Sequence, residues 1–377
     1  MALSTQKKNI VIVGGGIAGC HAAQTLSKKI DPVRHTLTLI NARPFFLPLP
    51  VTVRMTTTAE GKIEDSAFVP YNKLLAPGRG TVRIARVSFV DVKEGATSGS
   101  LILTDSERLP FDILVLAPGN TWSGPLDFPD SAEDIQAHLA TWRKKFKDAS
   151  KVVMVGGGAV GFEFAGEIKQ FYPEKKTTVV HSLPLPLSDV FPDKFRKRVE
   201  KDFRAADVEI VFNDSVDQLD AKDKKVVPTR SGRQLEGDLI VPTFGGKPAT
   251  GFLTSLGDGV LTARGHIRVK PTLQLPTFPT IFAIGDAIDW NESRQVPQAD
   301  AHAEVAAANV LNLLAGHAPS KEYKGSRKVI IITNGKYRGI GYLGFLWGII
   351  VGNWICSLLK GRSLLLGMIR KRLGQPA

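Results

Sequence analysis

Two glycine clusters carry the chemistry most legible in this chain. Gly14, Gly16 and Gly19 form G-x-G-x-x-G directly after the β-branched run Ile10–Val13, and Gly156, Gly158 and Gly161 repeat the motif 142 residues later. In a strand-to-helix turn the first glycine permits the tight bend. The second lets backbone approach a pyrophosphate, and the third lets the helix pack on the strand with its N-terminal N–H groups facing the phosphates. One such motif fits an ordinary glycine turn. Two in the same frame imply that the chain holds two dinucleotides.

The residues placed to read each ribose follow from the same frame. In the first unit this is Asn41, at the end of the strand-like run Thr36–Ile40; in the second it is His181, followed by Ser182. An acid is usual there. Asparagine can still bond a hydroxyl. His-Ser has no negative charge to repel a 2′-phosphate and no adjoining arginine to attract one, so NADH and NADPH both remain open.

The elements that must position these residues are duplicated too. KNIVIVGGGIAGCHAAQTL (8–26) and KVVMVGGGAVGFEFAGEI (151–168) each read as strand, glycine turn and helix, followed by a further strand at Thr36–Ile40 or Thr177–Val180. Between the copies, Leu101–Leu103 and Ile113–Ala117 read as strands, and APGNTWSGP at 117–125 is turn-rich enough to mark a junction. After the second copy, Glu209–Phe212 and Leu239–Val241 are strand candidates and TFGGKP at 243–248 marks another break. IFAIG (281–285) forms a strand ending in Gly-Asp, and Pro297 opens a helical pattern over Gln298–Leu314.

The paired glycine units, Ala117-Pro118-Gly119, and IFAIGDA at 281–287 resemble the flavoprotein superfamily with two dinucleotide-binding domains. GGGAVGFEFAGEIKQFYPEKKTTVVHS (156–182), RPFFLPLPVTVR (43–54) and the Asn309-containing helix place the resemblance in the apoptosis-inducing-factor-like branch with the ferroptosis-suppressor reductases. The resemblance implies an α/β fold with two Rossmann-like domains, the second inserted in the first. FAD would be held by residues 1–120 and 246–320 and NAD(P)H by 121–245, with a small C-terminal segment, 321–377, expected to pack on the flavin domain. Among the flavin-side positions it marks Gly14, Gly15, Gly16, Gly19, Asn41, Arg54, Val87, Ala117 and Gly119, with Asp286 on the flavin ribitol. As a lone arginine, Arg54 reads equally well as a surface ion pair. On the nicotinamide side it marks Gly156, Gly158, Gly161 and His181, with Glu163 as the catalytic position beside the nicotinamide. His302 reads as a packed residue of the long helix.

The two cysteines narrow the acceptor. Disulfide and sulfide:quinone reductases of this superfamily need redox thiols, whereas Cys20 reads as a small residue on a buried helix face and Cys356 stands far from it in sequence. Without a thiol relay, electrons pass from NAD(P)H to FAD and directly onward, the expected acceptor being a quinone or another small molecule. A soluble electron-carrier protein, or a non-enzymatic signalling role, is the alternative. No metal site is expected.

The charge balance of +13, from 49 Lys+Arg and 36 Asp+Glu, is concentrated at the C-terminus. Residues 321–377 carry eleven Lys/Arg against Glu322 alone, while the first 320 residues are close to neutral, which argues against a chain-wide nucleic-acid surface. This segment also holds Tyr342–Leu359, 18 residues without a charge, in which Gly344, Gly348 and Gly352 recur at helical spacing. Three readings are open: a monotopic anchor on an anionic membrane surface, a helix packed on the protein, or a span. The start, MALSTQKKNIVIV, has no apolar leader, and Ala2 stands where a myristoylated glycine would. The expected location is cytoplasmic, peripherally membrane-associated.

Overall fold

The computed structural model describes residues 7–219, 225–345 and 348–377; the reading of Ala2 and the residues Leu346 and Trp347 of the apolar run lie outside them. Strand Lys8–Val13 sits inside a six-stranded sheet of order 274–275, 278–283, 113–116, 8–13, 35–41, 81–84. All pairings are parallel except that of the edge strand Gln274–Leu275. Ile10 and Ile12 are fully buried, as are Leu114 and Val115, which is why these strands read as continuous apolar runs rather than alternating ones. Val13 pairs with both Ile40 and Leu116, so three carboxyl ends align and the first glycine turn leaves from the middle of that edge. Helices Ile17–Lys29 and Val296–Leu314 pack together beside the sheet.

The second glycine unit repeats this on a smaller scale. Strands run in the order 208–211, 176–180, 151–155, 239–242, all parallel, with Val155 paired to Val180 and to Pro242. Helix Ala159–Phe171 follows the turn. The chain passes between the sheets twice, and the two passages, Asn120–Thr121 and Lys247–Pro248, pair antiparallel with each other. The turn-rich stretches at 117–125 and 243–248 therefore lie side by side. A separate antiparallel sheet of strands Val87–Asp91, Gly99–Leu103 and Arg108–Phe111 carries Val87, which pairs with Leu103 and is buried.

The C-terminal segment departs from the helical reading of its glycines. Val329–Asn334, Arg338–Leu343 and Ile349–Val351 form a three-stranded antiparallel sheet, so the described residues of 342–359 run from one strand to another and then into the short helix Asn353–Cys356. Gly348 has φ +83 in the turn, and an added Cβ would lie 2.7 Å from the Tyr342 hydroxyl. The period of four therefore reflects separate turn and packing demands. Among the described residues no helix is long and apolar enough to cross a membrane.

The packing of this segment is divided between two cores. Ile330, Ile332 and Ile340 share a core with Phe162, Phe164 and Ile168 of the helix after the second glycine turn. Tyr323 before them, and Ile369 and Leu373 after them, join the core of the first sheet. Close approach is made possible by Gly166, where a Cβ would sit 2.7 Å from the Asn334 Cα.

Candidate functional site

The first glycine turn is shaped by backbone contacts that leave no room for side chains. Gly14 has φ +106, and a Cβ there would lie 2.0 Å from the Ala117 carbonyl oxygen; one on Gly19 would lie 1.9 Å from the Gly14 oxygen. Gly16, which caps helix Ile17–Lys29, faces nothing within 4 Å. An open face at a helix N-terminus, framed by two glycines that cannot be replaced, is the shape a pyrophosphate requires.

Asn41 is bound into this turn. Its Oδ1 accepts from the Gly15 N–H at 2.9 Å, and its Nδ2 donates to the Arg43 carbonyl and to the Tyr71 hydroxyl. Tyr71 in turn donates to the Gly15 carbonyl at 2.8 Å. Burial raises the Tyr71 phenol well above its usual range, so it stays a neutral hydrogen-bonding group. Tyr71 was not foreseen: an isolated tyrosine in VPYNKLL has no motif. Cys20 is buried, its thiol 3.3 Å from the Gly15 carbonyl, and burial raises it far above the range of a reactive thiolate.

Asp286 stands beside the same turn. Ile284 N–H donates to the Leu116 carbonyl, and a Cβ on Gly285, at φ +78, would lie 3.1 Å from the Ala18 side chain. The Asp286 carboxylate has no hydrogen-bond partner among the described residues, and burial raises its pKa. It is a polar group held next to an open cradle and left unspent. Behind it, the Gly285 N–H donates to His302 Nδ1 at 3.2 Å, and His302 Nε2 lies 2.9 Å from the Glu292 carboxylate, which also accepts from Tyr323. His302 is thus packed under the loop. Gly119, at φ +66, is open, and its carbonyl accepts from the Ala249 N–H where the two chain passages meet.

The second turn reproduces the first. Gly156 has φ +121, with a virtual Cβ 2.6 Å from the Phe244 nitrogen; the Gly161 Cβ would lie 2.0 Å from the Gly156 oxygen, and Gly158 is open. Thr243, unforeseen, locks the turn by donating to the Gly156 carbonyl at 2.9 Å. The signal was available, because Thr243-Phe244-Gly245 follows its strand as Ala117-Pro118-Gly119 follows its own. A cleft of about 370 Å³ opens here, bordered by Gly156–Gly158, His181, Ser182 and Asp214. His181 Nδ1 accepts from the Gly157 N–H at 3.1 Å and its Nε2 faces the Leu187 carbonyl at 3.1 Å. Burial lowers its pKa, so the ring is neutral, with both nitrogens committed to backbone.

Arg54 and Glu163 belong to a third cluster, between the sheets. Arg54 makes a bidentate pair with Glu167, 2.8 Å on both arms, with the two side chains 4% and 1% exposed. The surface ion pair weighed for Arg54 is thus a buried one, and its Nε and Nη2 are committed. Glu163 accepts from the Thr333 N–H at 3.0 Å, from its hydroxyl, and from Lys360 Nζ at 2.6 Å. Lys360 comes from the C-terminal segment and had no motif to announce it. Two cations and two carboxylates balance in this buried cluster, as low dielectric demands.

The fold and the two cradles define a class. The chain belongs to the pyridine nucleotide-disulphide oxidoreductase family, which it matches over residues 8–303, and its cofactors are FAD and NAD(P)H. It is 43% identical over 320 residues to FAD-dependent oxidoreductase FVFD30 of Flammulina velutipes, spanning 85% of this chain and 99% of that one. It is 28% identical to ferroptosis suppressor protein 1 of Mus musculus, spanning 100% and 98%, and 27% identical to apoptosis-inducing factor homolog B of Dictyostelium discoideum, spanning 99% of each. Among solved structures, the sulfide:quinone oxidoreductase of Aquifex aeolicus superposes with a TM-score of 0.78 at 17% identity, over 98% of this chain and 92% of that one. That likeness speaks to the fold.

Proposed function

We propose that this protein is a membrane-surface NAD(P)H:quinone oxidoreductase. Residues 1–120 and 246–320 are assigned to FAD, 121–245 to NAD(P)H, and 321–377 to the membrane side. The residues fit both nucleotides, since each cradle has one glycine facing open space where a phosphate belongs. When bound, FAD would supply the redox chemistry between the nicotinamide and the acceptor. The chain's own residues bind and orient. Gly14–Gly19, braced by Asn41 and Tyr71, hold the flavin nucleotide's phosphates, and Asp286 offers its unspent carboxylate to the ribitol hydroxyls. Ala117, Gly119 and Val87 shape the walls, and Gly156–Gly161 hold the nicotinamide nucleotide. Glu163, its charge met by Lys360, lies on the helix that leaves that second cradle and orients the nicotinamide side. Arg54 positions that helix through Glu167.

One observation carries the quinone assignment. The turn Asn353–Gly361 that delivers Lys360 inward to Glu163 exposes Trp354 and, one turn on, Leu358, at 75% and 59%, with Leu359 and Met368 close in the chain. Solitary exposed apolar residues are ordinary, but a tryptophan and two leucines on one short turn, followed in the chain by exposed Arg362 and Lys371, have the composition of a surface that enters a headgroup layer. Not all of the basic surplus points that way. Lys360, Arg370, Arg372 and Lys328 bond to Glu163, Ser66, Asp300 and Val190 within the protein.

Anaerobic titration of the purified protein with NADH tests the redox half, and bleaching of the 450 nm flavin band is expected. Addition of a quinone in anionic liposomes should restore the band, and Trp354→Ser should weaken vesicle sedimentation while leaving NADH bleaching intact. Reoxidation by a soluble carrier protein but not by the lipid quinone would instead make the acceptor a protein.

A further inference from the structure

The cleft beside the second glycine turn carries charge information that its sequence position did not. The proposal below rests on the assignment of NAD(P)H to the Gly156–Gly161 cradle. Where the strand Lys176–Val180 ends, the ribose of a nucleotide on this cradle is read. The residues around that point are His181, Ser182, Leu183, Ser188, Asp214 and Ser215. Among the described residues, no lysine or arginine lines the cleft.

His181 cannot substitute for one. Its Nδ1 takes the Gly157 N–H and its Nε2 faces the Leu187 carbonyl, so protonating Nδ1 would remove the bond that fixes the glycine turn. The nearest arginine along this loop is also spent. Arg196 donates from Nε to the Pro186 carbonyl and from Nη2 to the Leu185 carbonyl, and pairs with Asp193 through Nη1.

Among the described lining residues the charged side chain is acidic. Asp214 accepts from the Ser215 N–H at 2.9 Å, the Ser231 N–H at 3.1 Å and the Ser231 hydroxyl at 2.6 Å. Burial acts to raise its pKa, but these donors outweigh it and hold the carboxyl far below its usual range, so it is ionised throughout any working pH. Its own N–H donates to the His181 carbonyl at 3.1 Å, which fixes the Asp214 backbone beside the end of the strand Lys176–Val180.

We propose that this protein selects NADH over NADPH, with Asp214 the specificity-determining residue. A ribose with a free 2′-hydroxyl meets serine hydroxyls and backbone there. A ribose bearing a 2′-phosphate brings up to two negative charges into a partly closed cleft whose described lining holds no cation and does hold a fixed anion. Discrimination by repulsion needs no added attraction for the favoured partner.

The test is calorimetric and requires no turnover. The flavin-loaded protein is titrated with ADP-ribose and with 2′-phospho-ADP-ribose at low salt. Wild type is expected to bind the unphosphorylated compound at least about tenfold more tightly. Asp214→Asn should narrow that ratio by roughly threefold or more, and Ser182→Arg, which supplies the missing cation, should narrow it further or invert it. Equal binding of the two compounds by wild type overturns the proposal. So does an Asp214→Asn protein with wild-type circular dichroism and an unchanged ratio. Should Asp214→Asn fail to fold, Ser182→Arg decides, since an unmoved ratio there places the 2′ group outside this cleft and overturns the proposal. Binding of neither compound refutes the nicotinamide site itself, a different outcome from equal binding of both.

Discussion

The Arg54–Glu167 pair joins the helix Leu49–Thr57 to the helix that follows the second glycine turn, and its removal has a calculable effect. Both side chains are almost inaccessible and share two hydrogen bonds of 2.8 Å. Deleting either partner leaves the other charge buried and unmet, which costs about 3–5 kcal/mol. With an m value of about 3 kcal/mol per molar urea for a chain of this size, the urea midpoint should fall by roughly 1–1.7 M. The two single changes should not be equal. Arg54→Met leaves Glu167 one helical turn from Glu163 with only Lys360 to serve both, whereas Glu167→Gln leaves a guanidinium with a polar neighbour and an intact Glu163–Lys360 pair. Arg54→Met should therefore be the worse. The double variant Arg54→Met, Glu167→Leu replaces the pair with apolar groups and should recover to within about 1 kcal/mol of wild type. Midpoints are read by tryptophan fluorescence and, in parallel, by flavin release. Single variants that each lose less than about 1 kcal/mol, or a double variant that loses their sum, would refute the claim that this is a coupled buried pair.

Three further outcomes follow from the same contacts. Gly158→Val, at a glycine with no neighbour within 4 Å, should give a folded yellow protein that NADH no longer bleaches, whereas Gly161→Val, whose Cβ would meet the Gly156 oxygen at 2.0 Å, should fail to accumulate as folded protein. Asn41→Ala removes three hydrogen bonds around the first turn, about 1 kcal/mol each, and should weaken flavin retention in equilibrium dialysis by roughly tenfold to a hundredfold. Burial would raise the Asp300 carboxyl, but hydrogen bonds from His21 and Arg372 outweigh it and hold it below its usual range. Its contribution is thus complete above about pH 4 and is lost as the pH falls through the folded-state value, so the difference in urea midpoint between wild type and Asp300→Asn should shrink on acidification from pH 7 to 3.

What could be read in advance was set by local physics. A glycine turn between a β-branched strand and a helix is specified by consecutive residues, so both cradles, their strands and the Gly285-Asp286 turn were visible in the chain. The C-terminal sheet was not. Its glycines sit four apart, but each answers a separate demand: Gly344 lies against Lys328, Gly348 turns at positive φ, and Gly352 caps a helix. A period without a common cause imitates a helix. The partners of Glu163, Arg54 and Asn41 were equally hidden, because Lys360, Glu167 and Tyr71 reach them from 197, 113 and 30 residues away and belong to no motif. Asp214 is hidden for the same reason, since its proposed bearing on the ribose depends on the edge of a neighbouring strand.

The inward reach of Lys360 also bears on how soluble forms of this protein are made. Cutting the chain before its apolar turn is the obvious way to separate catalysis from membrane contact. That cut would strip the ammonium from Glu163, and with it Arg372 from Asp300 and the Leu373 side chain from the core of the first sheet. A truncated protein that lacked the proposed quinone reductase activity would therefore report damage to the buried Glu163 cluster rather than the loss of the proposed lipid contact. Changes confined to Trp354 and Leu358, whose side chains point away from that interior, separate the two.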